Sequence, residues 1–288
     1  MLPKLKGHGR PAHIKRGGGI VGAAVIGALS LACSRADSQR VAGDGPHASL
    51  ATTESAAGLT IATDVRYHVD PPMSGGRITG SIAFDGPAPS DSIVHPTADA
   101  DVCGQTLVDP TVDHRGPLLA NAVVWVDGVT AGKGLPIVRR YDLTNEGCRL
   151  VPRIQAAVTG GTLNVRNADQ ATHLTRFTLS TKRTVLATVA ETEAGAVVPS
   201  RAVLASPGLI EVTCDMHPWA RAWVLVFNQP YFTTTNANGA FVIDSVPPGR
   251  YRVSVWHERF GTQTDSVTVI AGKDAVVNMT FKSRTVGG

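Results

Sequence analysis

The chain has 288 residues, 43% hydrophobic and 17% charged, which suits one large or two modest packed domains and excludes a wholly disordered polymer. Aromatics are only 5%, and 30 Gly and 18 Pro favour short strands and turns. The net charge of +4 does not mark a nucleic-acid binder, because its excess sits at one end and no later run of Lys or Arg follows.

That end holds Lys4, Lys6, Arg10, Lys15 and Arg16 with no acid, followed by the uncharged apolar stretch Gly17 to Ala32. A basic segment before a short apolar one predicts a secretory signal over residues 1–32, too short to span a bilayer comfortably. Its loss removes five of 27 basic residues and none of the 23 acidic ones, leaving the rest near neutral. Ser30-Leu-Ala-Cys33 resembles the lipobox of bacterial lipoproteins, with Ser30 where an aliphatic residue is usual. The resemblance implies a lipid anchor on Cys33 and an exported, membrane-attached protein of the bacterial envelope or periplasm. Simple cleavage nearby is the alternative. Residues 33–75, rich in Ser, Ala, Thr, Gly and Asp, read as a flexible linker.

Three more cysteines remain in what would be an oxidising compartment. Cys103 and Cys148 stand in similar settings, and we pair them as a disulfide. Cys214 is then left alone, three positions before His217 in Glu211-Val-Thr-Cys-Asp-Met-His-Pro-Trp219. An odd Cys in an exported protein needs a role.

From Arg77 onward the pattern is of strands. Segments 77–84, 122–126, 153–158, 162–166, 209–213, 222–227, 240–244, 251–256, 266–270 and 275–281 are rich in Val and Ile and separated by Gly, Pro, Asn and Asp. No long amphipathic helix pattern follows the signal. The fold class expected is all-β, built as sandwiches.

Two stretches resemble known families. Residues 236–258, with Asn-Gly-Ala-Phe and Pro247-Pro-Gly-Arg-Tyr251, resemble the carboxypeptidase regulatory-like domain, a small transthyretin-like sandwich. Its earlier strands look like Gly76-Arg-Ile-Thr-Gly80 and Pro117 to Val124, upstream of Cys214. Residues 76–146 therefore read as N-terminal strands, in one reading the first half of a split domain completed by 229–284. Two sequential sandwiches is the other reading.

Residues 147–228 resemble a cupredoxin, most like the plastocyanin-like domains of exported methylamine-utilisation-like proteins. The matching pieces are Cys148 to Pro152, Asn167-Ala-Asp-Gln-Ala-Thr-His173 and Cys214 to Trp219. The resemblance implies one copper ion held by His173, Cys214 and His217, the thiolate and two imidazoles that favour copper electron transfer. It also implies a redox protein as partner. Two departures stand out: Ala220 replaces the weak axial Met, and Leu174 replaces the Asn that often follows the first His. A zinc site is less apt, since structural zinc takes a fourth protein ligand.

Other candidates are weaker. His257, in Trp256-His257-Glu258, is a possible second site, lining a ligand groove or an electron path with Trp219. His68, His95 and His114 have no partner spacing and read as solvated, as do Asp99 with Asp101 and Asp109 with Asp113. No Gly-x-Ser-x-Gly, phosphate loop, His-Glu-x-x-His or cleft-forming carboxylate pair occurs, so no catalytic residue is nominated. Two functions are carried forward: a copper protein that moves electrons or handles copper, and a non-catalytic adhesion or binding module that keeps a degenerate metal site and takes a glycan or protein ligand.

Overall fold

A computed structural model describes residues 66–71, 74–110 and 112–282. The residues on which the expected signal, the expected anchor at Cys33 and most of the expected linker fall, 1–65, lie outside them. Among the described residues the only helix is the single turn Ala100–Cys103, so the protein is all-β.

One sandwich draws on chain at both ends of the described region. Strand Gly76–Asp85 pairs antiparallel with Ala240–Val246 and parallel with Asp274–Val276 and Met279–Lys282. Its facing sheet runs Phe232–Thr234, Val123–Asp127, Gly249–His257, Gly261–Val269. The core between them mixes Ile78, Ile82, Val124 and Val126 with Tyr231, Phe241, Val253 and Phe281. Two glycines make this packing possible. A Cβ on Gly80 would lie 1.7 Å from the Val277 carbonyl oxygen. Gly239 holds φ 67° in the turn, where a Cβ would meet the Ile82 oxygen at 2.6 Å.

Between Ala131–Gly132 and Phe232–Thr234 the chain builds a second sandwich. One sheet runs Arg149–Val151, Arg140–Glu146, Thr162–Asn167, Val197–Ser200. The other runs Ile154–Val158, Arg221–Phe227, Gly208–Cys214, His173–Leu179, Thr184–Glu191. Its own core includes Leu143, Leu163, Val165, Phe177, Val212 and Val224.

A third apolar cluster joins the two. Val123, Trp125 and Trp256 from the first sandwich pack against Ile154, Leu209, Leu225 and Phe227 of the second. This explains why 123–127 and 221–227 are apolar on every residue or nearly so. Successive side chains point to opposite faces. Val124 and Val126 enter one core while Val123 and Trp125 enter the joint. Likewise Ala222, Val224 and Val226 face the second core, and Leu225 and Phe227 the joint. Burying such side chains contributes about 1.5–3 kcal/mol each, so the joint is a substantial attachment.

Candidate metal centre

The site forms at one end of the second sandwich. Cys214 is the last residue of strand Gly208–Cys214, and His173 is the first of the neighbouring strand His173–Leu179. Thr175 lies directly opposite Cys214 in the pairing register, which puts Cys214 and His173 on the same inward face. After Cys214 the chain turns, and the Ala220 amide donates to the His217 carbonyl at 2.9 Å, folding His217 back over the strand end. Arg176 holds this turn from outside through two hydrogen bonds to Asp215.

Three donor atoms converge. His173 Nδ1 and His217 Nδ1 are 3.0 Å apart, and Cys214 Sγ is 3.8 Å and 3.6 Å from them. A triangle with those edges has a centre about 2 Å from each corner, close to the ~2.0–2.3 Å of metal–nitrogen and metal–sulfur bonds. The residues are 0%, 0% and 2% exposed for His173, His217 and Cys214, so water does not reach the donors freely.

Carboxylates set the histidine tautomers. His173 Nε2 donates to Asp169 Oδ2 at 3.0 Å, and His217 Nε2 donates to Asp99 Oδ2 at 3.1 Å. With the hydrogen on Nε2, each Nδ1 keeps its lone pair for a metal. Two such lone pairs 3.0 Å apart repel each other, and a cation between them relieves that repulsion. Burial, and then the neighbouring His217, push the His173 pKa down, which also favours the neutral ligand form. The donor set therefore fits a thiophilic metal ion.

Asp169 is itself well fixed. It accepts from the Gly147 and Cys148 amides at 2.7 and 2.9 Å, and its own amide donates to Asn167 Oδ1 at 2.8 Å. Gly147 and Cys148 hold φ 57° and 56°, the two positive angles of a tight hairpin turn. Cys148 is bonded to Cys103 in a disulfide, while Cys214 is free and buried. Trp219 lies edge-on to His217 and donates from Nε1 to the Cys148 carbonyl at 3.0 Å.

Ala220 is 2% exposed and offers no donor atom. Met216 is 43% exposed, and Met279 is buried in the core of the first sandwich. Beneath the site runs a polar chain: Asn145 Nδ2 donates to Thr175 Oγ1, which donates to Glu191 Oε2, both at 3.1 Å. Burial pushes the Glu191 pKa up to about 7. Glu191 Oε1 and Asn145 Oδ1 have no hydrogen-bond partner.

His257 lies elsewhere, at the joint. It is 2% exposed, accepts from the Arg259 amide at Nδ1, and lines a cavity of about 360 Å³ with Arg153, Glu258, Asp113 and His114. Burial and then Arg153 push its pKa down to about 4. His68, His95 and His114 are exposed. Asp99 is exposed as expected, with 41% of its side chain accessible, and also bonds His217, whereas Asp109 is not the solvated loop acid expected, since it pairs with Arg153. Their partners lie 118 and 44 positions away, so no local pattern announces them.

Residues 208–282 match the family model of the carboxypeptidase regulatory-like domain. The match starts inside the second sandwich, over Cys214 and His217, whereas in space the strands beside 240–246 and 249–257 are 76–85 and 123–127. No curated protein matches the chain. Several solved structures are similar over part of it. Amicyanin from Paracoccus versutus is 17% identical, with TM-score 0.26 over 32% of this chain and 84% of that one. A purple cupredoxin from Nitrosopumilus maritimus is 18% identical, with TM-score 0.25 over 30% and 98%. A copper-containing nitrite reductase from Thermus scotoductus SA-01 is 16% identical, with TM-score 0.27 over 36% of this chain and 25% of that one.

Proposed function

We propose that the chain is a copper-binding protein of cupredoxin type that carries single electrons, or holds copper, in the bacterial envelope. One observation carries the reading: the convergence of His173 Nδ1, His217 Nδ1 and Cys214 Sγ, with each imidazole locked by a carboxylate so that Nδ1 is free. One thiolate and two imidazoles suit copper better than the hard cations. Bound copper would supply a centre that takes up and gives back one electron.

The protein's part is to keep the ligands still. His173 and Cys214 sit on paired strands, and a rigid sandwich lets the ligand set serve both oxidation states with little rearrangement. All three ligand residues are buried, which favours an electron carrier over a catalyst needing an open metal position. A redox protein is the partner this reading requires. Attachment through lipid on Cys33 belongs to the same reading. We further infer that the carboxypeptidase regulatory-like unit is split, with residues 76–132 and 229–282 flanking the metal-binding sandwich.

The test is a Cu(II) titration of the protein followed by visible absorption, beside Cys214→Ser. One equivalent should give an intense thiolate-to-copper band that the Ser variant lacks. Protein that stays colourless and binds no copper tightly would leave the second function, a binding module for glycan or protein, as the reading to pursue.

A further inference from the structure

We propose that Asp99 is a positioning residue for His217, and that the Cys103–Cys148 disulfide braces the metal site by tying together the two carboxylates that orient its histidines. The proposal rests on the copper reading above for its consequence, and on geometry for its substance.

Asp99 does not belong to the second sandwich. It lies on an excursion of the chain between strands Gly76–Asp85 and Leu118–Leu119 of the first. Its backbone is left-handed, φ 48° and ψ 41°, a conformation Asp tolerates better than most residues. The Val102 and Cys103 amides hold it there by donating to its carbonyl at 2.9 and 2.7 Å. Its side chain reaches His217, whose ring is fully buried.

The excursion is tied to the second sandwich by the disulfide and, further along, by the Arg153–Asp109 pair; of the two, the disulfide stands next to the Asp99 turn. Cys103 ends the helical turn that starts beside Asp99, and it is bonded to Cys148. The Cys148 amide donates to the same Asp169 oxygen that receives His173 Nε2. A closed path follows: His217 to Asp99, through the turn to Cys103, across the disulfide to Cys148, to Asp169, to His173. The two Nδ1 atoms close it at 3.0 Å. The disulfide sulfurs and a ring nitrogen of His217 lie within 4.8 Å of one another, so the brace passes beside that imidazole. Groups that orient a ligating imidazole typically change metal affinity about 10–100-fold when removed.

A disulfide that only stabilised the fold would show different couplings. The test uses the full chain with Asp99→Ala, Asp99→Asn, the double variant Cys103→Ser/Cys148→Ser, and the triple variant that adds Asp99→Ala. Copper affinity is read from the titration. Asp99→Ala should weaken copper about 10–100-fold. Asp99→Asn should restore most of it, since its amide oxygen accepts the same N–H. The disulfide variant should lose affinity like Asp99→Ala, and the triple variant little more, as expected of residues acting in one path. Native affinity in Asp99→Ala, or losses that multiply in the triple variant, overturns the proposal. Should the disulfide variant not fold, the two Asp99 variants decide.

A second readout needs no copper. Nitrogen NMR of the metal-free protein should show His217 carrying its hydrogen on Nε2, with that preference lost in Asp99→Ala and kept in Asp99→Asn. No change in Asp99→Ala overturns the positioning role. An unmodified chain without a copper band would sink the copper reading alone, and the nitrogen spectra would still decide on Asp99.

Discussion

Arg153 and Glu258, 105 positions apart, meet in a two-pronged ion pair across the two sandwiches, Nε to Oε1 at 2.5 Å and Nη2 to Oε2 at 3.0 Å. Trp223 Nε1 also donates to Glu258 Oε2 at 3.1 Å, and Arg153 Nη1 bonds Asp109 at 2.5 Å. Only 11% of the Glu258 side chain is exposed, so this is a largely desolvated clamp beside the apolar joint.

Glu258→Ala leaves Trp223 without an acceptor and Arg153 with one acid. The expected loss is on the order of 2–3 kcal/mol, larger than for an exposed pair. Denaturant unfolding of the two proteins reads it directly. A loss within error of zero would mean the apolar joint alone holds the sandwiches.

A fragment of residues 229–282 should not fold by itself. Its core partners Ile78, Ile82, Val124 and Val126 would be missing, and so would the strands that pair with 240–246 and 249–257. Circular dichroism with a thermal scan checks this, and a cooperative transition in the fragment would contradict it. In the whole chain, Gly80→Ala should destabilise by several kcal/mol, because its Cβ would fall 1.7 Å from the Val277 oxygen.

Two buried groups give opposite pH slopes in the metal-free protein. Glu191, raised to about 7, holds its proton more tightly folded than unfolded. Its stabilising share is whole below the unfolded value near 4.5 and is lost as pH rises toward 7. His257, lowered to about 4, does the reverse: its share is whole above the unfolded value near 6.5 and is lost as pH falls toward 4. Each is worth on the order of 3 kcal/mol, so these two slopes oppose each other between those limits, with His173, also lowered by burial, adding to the slope of His257. Relative to the native chain, Glu191→Gln should tilt the stability curve upward with pH from 4.5 to 6.5, and His257→Gln should tilt it downward. Melting temperatures across that range decide, and two parallel curves would refute the assignment.

Copper should protect the fold by mass action. A ligand at one hundred times its dissociation constant adds about 2.7 kcal/mol to stability if it binds only the folded state. Thermal scans with and without copper should therefore separate for the native chain and coincide for Cys214→Ser. Removal of the metal with a chelator should return the native curve to its starting point.

Much of the β structure could be read locally because Val and Ile runs between Gly and Pro turns mark strands. The strand His173–Leu179 could not. Its inward residues are His173, Thr175 and Phe177, and two of those three are polar, so its alternation carries no apolar signature. Arg140–Glu146 hides for the same reason, with Asn145 fully buried beside Leu143. That His173, Cys214 and His217 would meet was expected from a resemblance alone, carried by the Cys214 to Trp219 motif and the Asn167 to His173 turn. The outer carboxylate Asp99 was not, since a contact across 118 positions leaves no trace in local spacing.

The sequence by itself determined the all-β class, the turn-rich spacing, and the residues with the chemistry to hold a soft metal. Those properties are local: side-chain branching, backbone freedom at Gly and Pro, and donor type act over a few neighbours. Only the tertiary structure decided that 76–85 pairs with 240–246, that Trp256 and Phe227 share one joint, and that Asp99 comes within hydrogen-bond distance of His217. Pairing and packing depend on which apolar faces find each other in space. Many registers can satisfy the same alternation of residues, and only the complete set of contacts selects among them.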